Sequence, residues 1–182
     1  MKELSELFKK LNITPKHISL YEQAFTHSSY NSDANTKHQD YERLEFLGDA
    51  VIDCVFGEVI YIARPELDPG FSTKLRAALV STAGLSKYSK KLELYDYIRV
   101  GNSFSGDLKQ ANHILEDVFE SFIGAMYLDQ GFQKTRGFIA DLCIDDVKNF
   151  NTNLLTDYKS KLQEEIQSEH RESVSYELVS EA

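Results

Sequence analysis

Three carboxylates, Glu42, Glu45 and Asp49, stand at i, i+3 and i+7, and two more, Asp117 and Glu120, at i and i+3. On a helix the first three fall within about 60° of one another, a single acidic stripe. The second pair sits among Val118, Phe119, Phe122 and Ile123, which marks its helix as one of the most buried. Like charges at this spacing repel, and burial raises the cost of ionising each. A divalent cation removes that cost. Oxygen-only ligands without Cys or His favour a hard ion, magnesium or manganese, over zinc or copper. The stripe of Glu42, Glu45 and Asp49 also fits an ordinary solvated helix face. Asp117 and Glu120 fit it less well, because charged residues are rarely buried without partners.

Other chemistries lack their residues. A di-iron bundle needs Glu-x-x-His on two helices, and here His113 precedes Glu116 and Asp117, the reverse order. His27, His38 and His113 have no nucleophile at a recognisable spacing and read as surface or hydrogen-bonding residues. Cys54 and Cys143 form no CxxC or His-rich pattern, which leaves neither a disulfide framework nor a zinc site. Both are expected as buried small hydrophobes.

The elements that must carry the acids are helical. Tyr41–Ala63 is the longest helical pattern, with Leu44, Leu47, Val51, Cys54, Val55 and Val59 recurring at three and four, and the two prolines of Arg64–Gly70 end it. Ala111–Asp129 is a strongly apolar helix, followed by another at Gln133–Asn149. Residues 1–30 read as two helices, the second capped by Thr14 with Pro15 at its first position. Asn31–Gln39 and Ile98–Asp107 read as loops, and Phe71–Leu92 as one further helical stretch. Helix follows helix, so residues 1–150 form an all-α domain, with 151–156 as a linker. From Asp157 a short helix, Tyr158–Ser168, leads to the alternating strand Val174–Val179. A lone strand leaves its ladder unpaired, so residues 157–182 read as the opening of a second, truncated α/β domain.

Composition bounds the partners. The chain has 182 residues, 42% hydrophobic and 27% charged, with nine Gly and three Pro, which excludes collagen-like and wholly disordered classes. The N-terminal ten residues are charged and amphipathic, and no run of about 18 apolar residues occurs, so the expectation is a cytoplasmic protein with no membrane partner. Twenty basic against twenty-nine acidic residues give a net charge of −9. Such acidity argues against a polyanionic partner unless the acids cluster to hold cations.

At these residues the chain resembles the ribonuclease III family. Glu42-Arg43-Leu44-Glu45-Phe46-Leu47-Gly48-Asp49-Ala50-Val51 is similar to the family's signature. Ala24–Tyr30, Lys74–Val80 and Glu116–Ala125 resemble, in order, its upstream Thr-His stretch, the helix after the signature and its second acidic motif. The likeness covers about residues 1–150, the endonuclease domain. Asp157–Glu164 and Val174–Val179 resemble the first helix and strand of a double-stranded-RNA-binding domain, here with Lys159, Lys161 and Arg171 against seven acids.

The resemblance implies an endonuclease that hydrolyses double-stranded RNA to 5′-phosphate and 3′-hydroxyl ends with short 3′ overhangs, in rRNA and mRNA processing. It implies Glu45, Asp49, Asp117 and Glu120 as ligands of Mg2+, for which Mn2+ can substitute, and Glu42 as an aid to binding substrate or a second ion. No side-chain nucleophile is required, since such an ion supplies an activated water. A homodimer is implied, with Phe46 at the contact, whereas by periodicity alone Phe46 is equally a core residue. By count back from Arg76, Pro69 stands where the family usually has a secondary acid, with Asp68 beside it. The rival functions are a non-catalytic relative that only binds RNA and a plain helical scaffold with a solvated acidic face.

Overall fold

The acidic stripe lies on a 22-residue helix, Glu42–Ala63, and the buried acidic pair on a 19-residue helix, Asn112–Gln130. The computed structural model describes residues 2–33, 38–102 and 104–151. In chain order the helices are α1 (Leu4–Lys10), α2 (Ile18–Ala24), α3 (Tyr30–Asp33), α4 (Glu42–Ala63), α5 (Pro69–Leu79), α6 (Thr82–Leu92), a 3-10 turn at Leu94–Tyr97, α7 (Asn112–Gln130) and α8 (Phe132–Asn149). Among the described residues there is no strand, only one isolated parallel bridge between Thr26 and Arg99. The all-α expectation therefore holds, while the expected helix 158–168 and strand 174–179 lie outside the described residues.

Helix α7 is the hub. Its apolar face is too wide for one neighbour, with Leu115, Val118, Phe119, Phe122, Ile123 and Ala125 all fully buried. It packs most extensively on α4, then on α6, α2 and α8. Phe122 meets Tyr21 and Phe25 of the α2 region at ring distances of 6.1 and 6.0 Å, and Phe119 meets Tyr88 of α6 at 5.8 Å. Each fully buried side chain of this size contributes about 2–3 kcal/mol of hydrophobic stabilisation. Arg136 of α8 clamps Glu58 of α4 through Nε–Oε2 at 2.6 Å and Nη2–Oε1 at 2.9 Å.

Four local expectations differ from the fold. The stretch Phe71–Leu92 is two helices, not one: Ser81 caps α6 by accepting from the Gly84 N–H at 3.3 Å, and its hydroxyl donates to Ala78 O at 2.7 Å. Helix α2 begins at Ile18 rather than at Pro15, because Asp129, at the far end of α7, takes the Lys16 and His17 N–H groups at 3.0 and 2.7 Å. The expected loop Asn31–Gln39 opens with the single turn α3. Cys143 is buried as expected, but Cys54 is exposed, since it falls on the face of α4 turned away from α7. No helix among the described residues is long and apolar enough to cross a membrane.

Candidate metal centre

The two acidic helices meet because glycine stands at their crossing. A Cβ on Gly48 would lie 1.8 Å from the Glu120 carbonyl oxygen, and one on Gly124 would lie 2.2 Å from the Leu44 carbonyl oxygen. No larger residue fits either position, so α4 and α7 touch backbone to backbone there. Glu45 and Asp49 flank Gly48 on α4, and Glu120 lies one turn before Gly124 on α7. A crossing tight enough to exclude a methyl group thus faces the acids of one helix toward those of the other.

Glu45, Asp117 and Glu120 each offer one carboxylate oxygen, and the three oxygens lie within 4.8 Å of one another. Asp49 is outside this trio but next to it, and its charge raises the proton affinity of Glu120. Glu42 is exposed at the start of α4, and its charge acts on Glu45. Of the five sequence-derived acids, the fold gathers three and borders them with the other two.

The electrostatics record what this gathering costs. Burial, then the charges of Asp49, Glu116, Glu45 and Asp117, pushes Glu120 up to about 8. Burial, then Asp117, Glu42, Glu116 and Asp49, pushes Glu45 up to about 7. Asp49 is also raised, by burial and by Asp53. Carboxylates that hold protons at neutral pH mark uncompensated negative charge, and a divalent cation is what such a donor set fits. Oxygen atoms alone, from three or more carboxylates, suit magnesium or manganese.

Two participants lie outside the five acids expected from the sequence. Glu116, beside Asp117 in sequence, adds its charge to both Glu45 and Glu120, and faces the exposed His113 with Nδ1–Oε2 at 3.6 Å. Tyr41, just ahead of the acidic stripe, donates its hydroxyl to Asp117 Oδ2 at 2.8 Å. Glu116 does carry a periodic signal, one helical turn before Glu120, whereas Tyr41 is marked only by its adjacency to Glu42. His27 is held by Ser29, whose N–H donates to Nδ1 at 3.0 Å. Phe46 is 81% exposed, which excludes the core reading. Asp68, beside Pro69, accepts from the Phe71 N–H at 2.8 Å as the N-cap of α5.

Known proteins share this arrangement of helices. A family profile described as ribonuclease-III-like matches residues 17–147. Ribonuclease 3 of the Onion yellows phytoplasma (strain OY-M) is 37% identical over 181 residues, covering 100% of this chain and 74% of the relative. Ribonuclease 3 of Enterococcus faecalis is 39% identical over 180 residues, covering 97% and 78%. Among solved structures, the nuclease domain of ribonuclease III from Campylobacter jejuni superposes with a TM-score of 0.71 at 35% identity, covering 81% of this chain and 99% of that one. That structure is noted for flexibility in the region involved in dimer formation of the domain.

Proposed function

The chain belongs to the ribonuclease III family and is an endoribonuclease, and on that premise we propose that its substrate is double-stranded RNA and its chemistry metal-dependent. The products are 5′-phosphate and 3′-hydroxyl ends with short 3′ overhangs, and the targets are precursors of ribosomal and messenger RNA. The observation that carries the reading is the meeting of Glu45, Asp117 and Glu120 oxygens within 4.8 Å of one another.

Glu45, Asp117 and Glu120 would each give Mg2+ one oxygen, with Asp49 adding a fourth carboxylate at the border. When bound, the ion supplies a hydrolytic water at neutral pH and offsets charge developing on the phosphate. The acids themselves must first lose the protons that burial and repulsion make them keep. Glu42 and Glu116 add negative potential at the rim, where they favour a second cation or the cations that accompany RNA. Base sequence is expected to matter little, because the deep A-form groove hides base edges and leaves shape and 2′-hydroxyls to be recognised.

The working unit of this reading is a homodimer. Phe46, Ala50, Cys54 and Tyr61 share one exposed face of α4, with Phe46 and Tyr61 at 81% and 82% exposure. Two large aromatics left on one helix face are what a second copy would cover. Residues 1–150 would then be the endonuclease domain, 151–156 a linker and 157–182 the beginning of a double-stranded-RNA-binding domain.

Incubation of a duplex RNA with the protein, with and without Mg2+ and chelator, tests the reading. Cleavage that requires the ion and is abolished in Glu120→Ala supports it. RNA that is retarded on a gel yet left intact by the parent protein refutes it in favour of a binding-only relative.

A further inference from the structure

Asp117 differs from the other gathered acids in having one oxygen already engaged. Its Oδ2 accepts the Tyr41 hydroxyl at 2.8 Å, across 76 residues of sequence. The phenol is only 4% exposed, and several contacts prevent it from swinging away. The Tyr41 N–H donates to Thr26 O at 3.0 Å, and the Tyr41 carbonyl accepts from the Leu44 and Glu45 N–H groups, each at 2.9 Å. Its ring lies edge-on to His27, with centroids 5.6 Å apart and planes at 70°. His27 is fixed by Ser29, and Ser29 Oγ accepts from the Gly101 N–H at 3.0 Å. The hydroxyl thus sits at the end of an arm braced by the segments around Thr26 and Gly101.

A phenol in this position has one chemical option. The phenol O–H is the donor in this contact and Asp117 Oδ2 the acceptor, at 2.8 Å. It occupies one lone-pair direction of Asp117 Oδ2, and Oδ1 is the oxygen without this donor. We propose that Tyr41 is a positioning residue for the divalent ion: its hydroxyl holds Asp117 in one orientation and limits it to a single oxygen toward the metal. The inference rests on the metal-dependent reading above. Hydrogen bonds from outside the ligand set commonly change metal affinity by about 10–100-fold.

The test is Mn2+ binding by electron paramagnetic resonance, in which the free-ion signal is titrated by protein without RNA. Tyr41→Phe keeps the ring and its contact with His27 and removes only the donor. Its Mn2+ affinity is expected to fall about tenfold. Cleavage should be recovered at saturating Mg2+, so that the metal concentration for half-activity rises while the maximal rate changes little. Tyr21→Phe is the control, because the Tyr21 hydroxyl donates to Asp129 Oδ2 at 3.1 Å, a like bond at another place. It should lower the melting temperature and leave Mn2+ affinity untouched. Tyr41→Phe binding indistinguishable from the parent overturns the inference, as does equal weakening by Tyr21→Phe. A parent protein that binds no Mn2+ and cleaves no RNA sinks the functional reading and this inference together; binding by the parent with no change in Tyr41→Phe sinks this inference alone.

Discussion

Glu120 holds its proton to about pH 8 and Glu45 to about pH 7, against 4.5 for a free glutamate. The consequences for stability have a definite sign. Below about pH 4.5 both the folded and unfolded chains carry these protons, and stability is unaffected. As pH rises toward 7 and 8, the unfolded chain gives them up more readily than the folded one, so the metal-free fold loses stability through this window. The protein in chelator is therefore expected to melt at a lower temperature at pH 8 than at pH 5.5. Glu120→Gln, which cannot ionise, should flatten that decline, and calorimetry across the pH range checks it. A mutant and parent with parallel pH curves would contradict the assigned burden on Glu120. Metal and proton compete for the same oxygens, so below pH 7 the affinity for Mg2+ should rise about tenfold per pH unit for each proton displaced. A titration calorimeter at pH 6 and pH 7 reads this directly.

Between helices, the crossing of α4 and α7 turns spaced acids into a cluster. Gly48→Ala and Gly124→Ala each place a methyl group where a backbone carbonyl already stands. Overpacking of this kind costs about 1–3 kcal/mol or more, and the two acidic helices must separate to relieve it. Both variants should therefore lose metal-induced thermal stabilisation along with stability itself. Asp129→Ala tests a different joint. It removes the acceptor for the Lys16 and His17 N–H groups and the Tyr21 hydroxyl, and should cost about 2 kcal/mol with cation binding intact, as followed by urea unfolding. These joints also explain what the sequence could disclose. Helical periodicity exposed the acids on α4 and α7 and nearly all of the long helices, because period and burial are local properties. The α2 cap escaped it because the acceptor, Asp129, lies 112 residues from His17. Gly48 stood in plain view inside the signature, yet a glycine in an apolar helix does not say which carbonyl it admits. The split between α5 and α6 was readable in principle, since Ser81 is a good N-cap residue, but no proline or charge run punctuates it. Tyr41 offered no signal beyond its place next to Glu42.

For the whole molecule, a net charge of −9 looks hostile to RNA. Part of that charge is concentrated in Glu42, Glu45, Asp49, Glu116, Asp117 and Glu120, where cations would neutralise it, so the sum over the chain overstates what a duplex meets. The exposed face of α4 makes the assembly testable as well. Phe46→Asp should leave the melting temperature of the isolated chain nearly unchanged, because an 81% exposed side chain supports little of the core. It should shift sedimentation from dimer to monomer, and a variant that still sediments as the parent does would remove Phe46 from the contact. The same face carries a built-in chemical reporter. Of the two thiols, Cys143 is fully buried and pushed up to about 12 by burial, which makes it a poor nucleophile. Cys54 lies open on α4 between Ala50 and Tyr61. One maleimide per chain should attach to the Phe46→Asp protein, while the parent should become labelled more slowly as its concentration is raised, so that alkylation kinetics alone would count how many copies stand together.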